Sequence, residues 1–280
     1  MSAESRYAGL PEIHASGTTA TIPQGRQFAG LYYREILKTF RNPLVLAITF
    51  AQPFMWLAFF GSSFSTVPLS ELEELLHTQI QSYLQFLIPG VLATSMLSIG
   101  MFGSMSTIQD KRFGFMKRIL ITPTSKATVY LAKALGSTTR GMVGIPVMVV
   151  AGLAFGVQFS GDPLMWAGWA VSLVLLGFGF SCMFLAITAS STDWQTPGVI
   201  SNFITMPLMF ASGALFPPAN FPSWMQTISA YNPVTYAAEF GRGIIVNGQA
   251  DWAYLGYVAL FAASMAAIGT LVAARYLRAE

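Results

Sequence analysis

The chain has 280 residues, of which 54% are hydrophobic and only 10% are charged, against roughly 25% charged in ordinary globular domains. So little charge cannot cover the surface of a soluble protein of this length, which disfavours soluble enzymes, nucleic-acid binders and disordered scaffolds. The net charge is only +3, and the single cysteine, Cys182, lies in an apolar run. The sequence therefore has no disulfide framework and no cysteine metal cluster.

The first predicted elements are a tail and an amphipathic helix. Residues 1–25 are rich in Ser, Thr, Ala, Gly and Pro and lack the apolar core of a signal peptide, so we expect a flexible cytoplasmic tail. Residues 26–42 are predicted to form a helix with an apolar, aromatic face and a basic face. The two faces are Phe28, Tyr32, Ile36 and Phe40 against Arg34, Lys38 and Arg41. This pattern favours a helix lying flat in a membrane interface, with its cations towards the headgroups; the alternative is a soluble amphipathic helix packed on a core.

Residues 43–280 are predicted to form an all-α transmembrane domain with six spans. Each span corresponds to an uncharged run of about the 20 apolar residues that cross a bilayer. The predicted spans lie at about 44–61, 86–107, 141–159, 164–189, 197–216 and 252–274. Six such runs are a strong signal, because a charge at the centre of a bilayer costs about 2.5–3.5 kcal/mol.

The distribution of cations predicts the orientation of the chain. Of its 15 Lys and Arg residues, five precede the first predicted span, seven lie between spans two and three, and two follow the last span. The remaining cation, Arg242, lies between spans five and six. The positive-inside rule therefore predicts a multi-pass protein of the cell membrane with both termini and the span 2–3 connection in the cytoplasm.

The connection between spans two and three reads DKRFGFMKRILITPTSK. Its glycine is expected to break the helix and its proline to end the segment. The residues singled out here are Asp110, Arg112, Phe113, Gly114, Phe115, Lys117, Arg118, Leu120 and Pro123. Apolar side chains among cations fit a short helix that docks into a groove on another protein. They also fit an interfacial helix that serves only as an anchor on the positive side.

The connection between spans five and six is rich in Pro and aromatic residues and carries almost no charge. We predict two short re-entrant helices, at about 221–231 and 234–246, that dip into the outer leaflet without crossing it. Broken helices survive at this depth only when they are buried in protein or line a cavity. Glu239 and Arg242 are spaced to pair on one face of the second helix. This pair is either a local ion pair that neutralises two charges or a direct participant in transport.

The sequence contains no pattern typical of a catalytic or metal site. No G-x-x-x-x-G-K-[ST], H-E-x-x-H or G-x-S-x-G motif occurs. The two histidines, His14 and His77, lie outside the predicted spans, and no predicted span holds a carboxylate away from its ends. We therefore expect no catalytic, cofactor or metal residue on this chain. If transport is active, the ATPase must be a separate chain.

The two connections together resemble those of the ABC type-2 exporter permeases, especially the daunorubicin-resistance type of drug exporter. The family's motif between spans two and three is matched by Phe113-Gly114-Phe115, Ile119-Leu120, Pro123 and Ser125-Lys126. Its G-x-L-F-P, F-P-x-W and N-P-x-T-Y motifs and its later arginine are matched by residues that include Pro217, Pro222, Asn232, Pro233, Tyr236 and Arg242. The likeness covers the chain from about residue 26 onwards.

The resemblance implies a six-span half-transporter that pairs with a second permease copy as a homodimer. It also implies two separate cytoplasmic ATPase subunits, which bind the ATP and Mg²⁺. Residues 110–125 would be the coupling helix, and residues 26–41 the family's amphipathic N-terminal helix. The expected cargo is a hydrophobic or amphiphilic molecule, such as a drug, lipid or glycolipid, exported from the cytoplasm or inner leaflet. The alternative is a channel-like or scaffold membrane protein that needs no ATPase.

Overall fold

The computed structural model describes residues 23–64, 67–76, 80, 82–120, 122, 124–155, 157, 162–191, 193 and 195–276. The predicted tail at residues 1–25 lies almost entirely outside this part of the chain, as do both histidines. Of the described structure 85% is helical, and it contains no β-strand. The predicted all-α class is therefore confirmed.

Twelve α-helices follow one another along the described residues. They are α1 (Gln24–Phe40), α2 (Pro43–Ser63), α3 (Leu69–Leu76), α4 (Tyr83–Arg112), α5 (Phe115–Leu120), α6 (Lys126–Met142), α7 (Gly144–Ala154), α8 (Pro163–Ser190), α9 (Thr196–Phe210), α10 (Ser223–Tyr231), α11 (Pro233–Asn247) and α12 (Trp252–Tyr276). Three of them begin with a proline, Pro43, Pro163 or Pro233, at the position where a missing N–H removes no helical hydrogen bond.

Four of the described helical segments are long and apolar enough to cross a membrane. They are Tyr83–Arg112, Lys126–Ala154, Pro163–Ser190 and Trp252–Tyr276. The second joins α6 and α7 across a break at Val143 and begins well before the predicted residue 141. The cations of α6 are predicted to lie in the connection between spans two and three. In the structure they lie on a helix that continues into the apolar run. With 21 and 15 residues, α2 and α9 are not among the four, and several side chains of α2 lie outside the described set. Six spans therefore stay a prediction.

The central helix of the bundle is α4, which is buried along most of its length and packs closely against α8. A Cβ atom at Gly100 of α4 would lie 2.8 Å from the backbone carbonyl carbon of Phe180 in α8. Glycine at such a crossing lets two helices approach and gain van der Waals contact, which matters where lipid provides no hydrophobic drive for association. In contrast, α12 is exposed along most of its length.

The two connections lie at opposite ends of α4. At its C-terminal end, α5 leads into α6, and α1 packs along α6. At its N-terminal end, α11 packs against α4, and α10 precedes it. The helices predicted at 221–231 and 234–246 are present as Ser223–Tyr231 and Pro233–Asn247. Their depth in a membrane stays a prediction.

Candidate functional site

A glycine turn ends α4 within residues 110–125. These residues are the docking segment, which is predicted to bind another protein. Gly114 has φ +70°, a left-handed conformation that glycine adopts without a side-chain clash. The N–H groups of Phe113 and Gly114 donate to Gln109 O (2.9 Å) and Lys111 O (3.1 Å) and close the last turn of the helix. The chain then reverses into α5. After α5, the Ser125 hydroxyl accepts from Thr128 N at 3.1 Å and caps α6.

The predicted docking residues divide into outward and inward sets. Phe113 is 78% exposed, and Arg112 and Arg118 are exposed as well. Phe115 is half-buried and packs with Met116, Ile119, Leu31 and Val129 in a small apolar cluster. The side chains of Lys117 and Leu120, and all of Pro123, lie outside the described residues. The segment therefore has a packed inner face, while the Phe113 ring and the cations Arg112 and Arg118 are exposed.

Asp110, in the last turns of α4, is the centre of a buried ion network. It is only 5% exposed, and it accepts from Arg34 Nη2 (3.2 Å) and Lys38 Nζ (3.1 Å) of α1. Lys133 Nζ of α6 also donates to it. Lys133 reaches Glu35 Oε1 of α1 at 3.2 Å as well. The two carboxylates thus tie α1, α4 and α6 together, and removing either would leave buried cations poorly paired.

The structure places two cations of α1 against α4. Arg34 and Lys38 pair with the Asp110 carboxylate, while the position of α1 relative to a membrane stays a prediction. The Arg34 guanidinium also lies 3.5 Å from the centre of the Phe115 ring. On the outside, Phe40 is 51% exposed and Tyr33 is 63% exposed. The charged face of α1 therefore packs against the docking segment, while the side chains of Tyr33 and Phe40 are exposed.

Sequence reasoning missed three members of this region: Glu35, Lys133 and Arg140. A signal was present, since Lys126, Lys133 and Arg140 are spaced seven residues apart and so lie on one face of a helix. Glu35 is the only acidic residue of the α1 sequence. A face of cations and a lone acid in a neighbouring helix indicate a contact, but they do not identify the partner.

Two lysines join this region to other spans. Lys111 Nζ donates to Thr188 O at 2.6 Å at the end of α8, and Lys126 Nζ donates to Ala274 O at 3.1 Å near the end of α12. The last carbonyls of a helix have no intrahelical partner and attract cations. The docking segment is therefore flanked by direct bonds to α8 and α12.

At the opposite end of the molecule, Arg242 of α11 joins three separate segments. It is 5% exposed, and its guanidinium donates to Phe86 O (3.1 Å) and Ala214 O (2.7 Å). It also pairs with Glu239 at 2.5 Å and lies 3.6 Å from the centre of the Phe86 ring. The pKa of this guanidinium is lowered, because burial disfavours its charged form more than the Glu239 carboxylate favours it. These contacts are typical of a residue that holds segments of the fold together, rather than of a site that binds a transported ion.

The G-x-L-F-P segment fits tightly against α4. Gly213 has φ +64°, and a Cβ atom at Gly90 of α4 would lie 1.9 Å from Ala214 O. Thr235 Oγ1 donates to Ser212 O at 2.6 Å, which fixes the same segment to α11. The loop therefore closes over the N-terminal half of α4.

The remaining predicted residues of this region form the frame of α10 and α11. Asn232 caps α11 through Val234 N (3.0 Å) and donates to Leu208 O (2.7 Å). Tyr236 donates its hydroxyl to Ala230 O. Pro217, Pro222 and Pro233 precede or begin the 3₁₀ turn at Pro218–Asn220, α10 and α11 respectively. Each therefore shapes the backbone at the start of a helix.

Comparison with known proteins assigns most of the chain to one family. Residues 26–246 match the family described as ABC-2 type transporter. The chain is 30% identical over 213 residues to the putative transport permease ycf38 of Cyanophora paradoxa, which covers 75% of this chain and 70% of that protein. It is 27% identical over 188 residues to the daunorubicin resistance ABC transporter permease protein DrrB1 of Streptomyces coeruleorubidus, covering 67% and 66% of the two chains. On the extent of the family match, the chain belongs to the ABC-2 type transporter family.

Proposed function

We propose that this chain is the membrane permease subunit of an ATP-driven exporter. The ATP and Mg²⁺ would bind to separate cytoplasmic ATPase subunits, two per transporter, and the permease would act as a homodimer in the cell membrane. The names of relatives, which include ABC transporter permeases linked to drug resistance, support this proposal. Both termini and the docking segment would face the cytoplasm.

The observation that carries the proposal is the geometry of the docking segment. Phe113 is 78% exposed although the turn beneath it is fixed by Gly114 and by the apolar cluster around Met116. A large exposed aromatic side chain on a rigid turn is typical of an anchor that fills a pocket on a partner. A loop that only crosses water would need neither the ring nor the rigid support.

The bonds around this segment suggest how a partner's movement would reach the spans. Lys111 and Lys126 connect it to α8 and α12, and Arg34 and Asp110 connect it to α1 and α4. ATP-driven closure of two ATPases would displace the segment, and the helices bonded to it would tilt as a body. Two permease copies rocking in this way would open the path between them alternately to either side.

The proposed cargo is a hydrophobic or amphiphilic molecule taken from the cytoplasm or inner leaflet. A crevice of about 220 Å³ between α2, α4 and the α6–α7 segment is lined almost wholly by apolar groups, among them Pro53, Phe54, Met96 and Val147. Such a lining suits a hydrocarbon part of a ligand and offers no charged site for a small ion.

Co-purification with the cognate ATPase tests the proposal. Phe113→Asp should weaken ATPase binding by roughly 30-fold or more, the loss expected for a central aromatic anchor, and should abolish transport in vesicles. Arg118→Glu should weaken binding less. Arg41→Glu, at an exposed cation outside the docking segment, is the matched control and should bind normally. Transport that persists without any ATPase would instead identify an ATPase-independent channel or scaffold.

A further inference from the structure

A cavity of about 280 Å³ lies between α1, α2, α4 and α6, on the side of the bundle that carries the docking segment, and its lining is more apolar than polar. Its polar lining includes Lys38, Ser106, Gln109 and Arg140. Phe102 and Met105 form an apolar wall. The cavity is slightly below the roughly 300–1,000 Å³ of pockets that hold drug-sized ligands, so its size suits a headgroup rather than a whole amphiphile.

Arg140 is the unusual member of this lining. It is only 7% exposed, and its described contacts leave the end of the guanidinium without an acceptor. Its Nε donates to Thr39 Oγ1 at 3.2 Å. Within the described residues no carboxylate lies within 4.0 Å of it, although Glu35 attracts it from farther away. A buried guanidinium with free N–H groups facing a cavity indicates an anionic ligand, since buried charges otherwise carry a partner.

The charges around Arg140 also favour an anionic ligand. Among the described residues, the four cations Arg34, Lys38, Lys133 and Arg140 surround two carboxylates, those of Glu35 and Asp110. This group therefore carries an excess of two positive charges, and two of its cations, Lys38 and Arg140, line the cavity. A phosphate group carries one or two negative charges and has oxygens that match the guanidinium fork.

The apolar crevice between α2, α4 and the α6–α7 segment adjoins this cavity. Thr49 of α2 lines both spaces. The crevice continues along α4 past Met96 and Leu92, away from the docking segment. A charged pocket followed by an apolar one is the order in which the headgroup and chain of an amphiphile would lie.

We infer that the two spaces form one binding site for a phosphate-bearing amphiphile of the adjoining leaflet. Arg140 and Lys38 hold the phosphate, and the apolar crevice takes a hydrocarbon chain. As a loading site for cargo, the assignment rests on the proposed export function. As a binding site it does not, and its test therefore uses no ATPase and no transport.

The experiment is a lipid titration of the full-length purified protein followed by native mass spectrometry. The probes are dioleoyl-phosphatidylglycerol, dioleoylglycerol with the same chains but no phosphate, and inorganic phosphate. The variants are Arg140→Gln, Arg140→Lys and the control Arg41→Gln, whose cation is exposed and outside the cavity lining.

Wild-type protein should bind phosphatidylglycerol about tenfold or more tighter than dioleoylglycerol, which corresponds to one charge-assisted hydrogen-bonded contact. Arg140→Gln should lose most of this preference while its dioleoylglycerol binding is unchanged. Arg140→Lys should keep part of it, and Arg41→Gln should behave as wild type. Equal binding of both lipids by wild type, or equal behaviour of Arg140→Gln and Arg41→Gln, would overturn the site.

Two further arms keep the inference testable. If inorganic phosphate bound as tightly as phosphatidylglycerol, the ligand would be a soluble anion and the amphiphile would be wrong. If Arg140→Gln did not fold, photo-crosslinking of wild type with diazirine-bearing phosphatidylglycerol would decide. Adducts on α2 and α4 near Thr49 and Met96 would support the site, and adducts confined to other helices would contradict it.

Discussion

At the end of the molecule opposite the docking segment, a single residue makes contacts that join several segments. Arg242 holds two backbone oxygens from segments far apart in sequence, at Phe86 and Ala214, and one carboxylate at Glu239. If the guanidinium were removed, the Ala214 carbonyl would lose this donor, whereas the Phe86 carbonyl lies within α4, where the N–H group four residues later is the usual partner. An unsatisfied buried polar group costs about 1–3 kcal/mol. This contribution to the stability of the fold depends on the Arg242 side chain.

Arg242→Ala should therefore destabilise the protein by about 1–3 kcal/mol, because it removes the donor to the buried Ala214 carbonyl and the packing of the guanidinium on the Phe86 ring. Thermal unfolding of the detergent-purified protein measures the loss. Glu239→Gln should cost under about 1 kcal/mol, since this side chain is 34% exposed and water can replace the pairing. Equal effects of the two substitutions would contradict the anchoring role.

A second prediction at this scale concerns the fit of the loop against α4. Gly90→Ala places a methyl group where Ala214 O lies 1.9 Å away, so the backbone must shift, at about 1–3 kcal/mol. Gly30→Ala in α1 meets nothing within 4 Å and should stabilise its helix by about 0.5–1 kcal/mol. Gly90→Ala should lower the melting temperature and Gly30→Ala should raise it. An unchanged melting temperature for Gly90→Ala would mean that the loop does not close on α4.

At the scale of elements, the orientation of α1 depends on a neighbouring helix. Periodicity located the helix, and it allowed the cations Arg34 and Lys38 to lie either at the membrane surface or against a core. The structure places both against Asp110 and turns Tyr33 and Phe40 outward. A helix with both aromatic and charged stripes can pack either way, and the carboxylate on α4 decides between the two packings.

Asp110→Asn should loosen α1 and α6 from α4. The substitution removes the shared acceptor of Arg34, Lys38 and Lys133 and should cost about 3 kcal/mol, measured by thermal unfolding. Asp251→Asn is the control, since its exposed carboxylate only caps α12 through Ala253 N (3.0 Å), where asparagine serves equally well.

Combining Asp110→Asn with Lys133→Met should cost less than the sum of the two single changes, because the cation left unpaired by the first substitution is removed by the second. Strict additivity in this double-mutant cycle would show that the two side chains do not interact in the folded protein.

At the scale of the whole molecule, the two connections lie at opposite ends of α4. If α4 crosses the membrane, the docking segment and the α10–α11 region must face opposite sides. The single natural cysteine, Cys182, is 0% exposed and gives no background to thiol labelling.

Phe113→Cys should therefore react with an impermeant maleimide only in inside-out vesicles, and Ser223→Cys only in right-side-out vesicles or intact cells. Both positions are exposed, so accessibility does not limit the reaction. Reaction of Phe113→Cys from the outside would contradict the proposed orientation and the ATPase contact together.

The sequence by itself determined the helical class, the positions of the two connections and the motifs that resemble the family, because each depends on composition, periodicity or a local pattern. Gly114, Asn232 and Pro233 act on the backbone beside them, and their effect can be predicted without neighbours. The tertiary structure alone decided that Asp110 joins Arg34 to Lys133, that Arg242 reaches Ala214, and that Arg140 faces a cavity. These bonds of Asp110 and Arg242 join residues 23 to 76 positions apart, and local patterns show that a charge needs a partner without specifying which helix brings it.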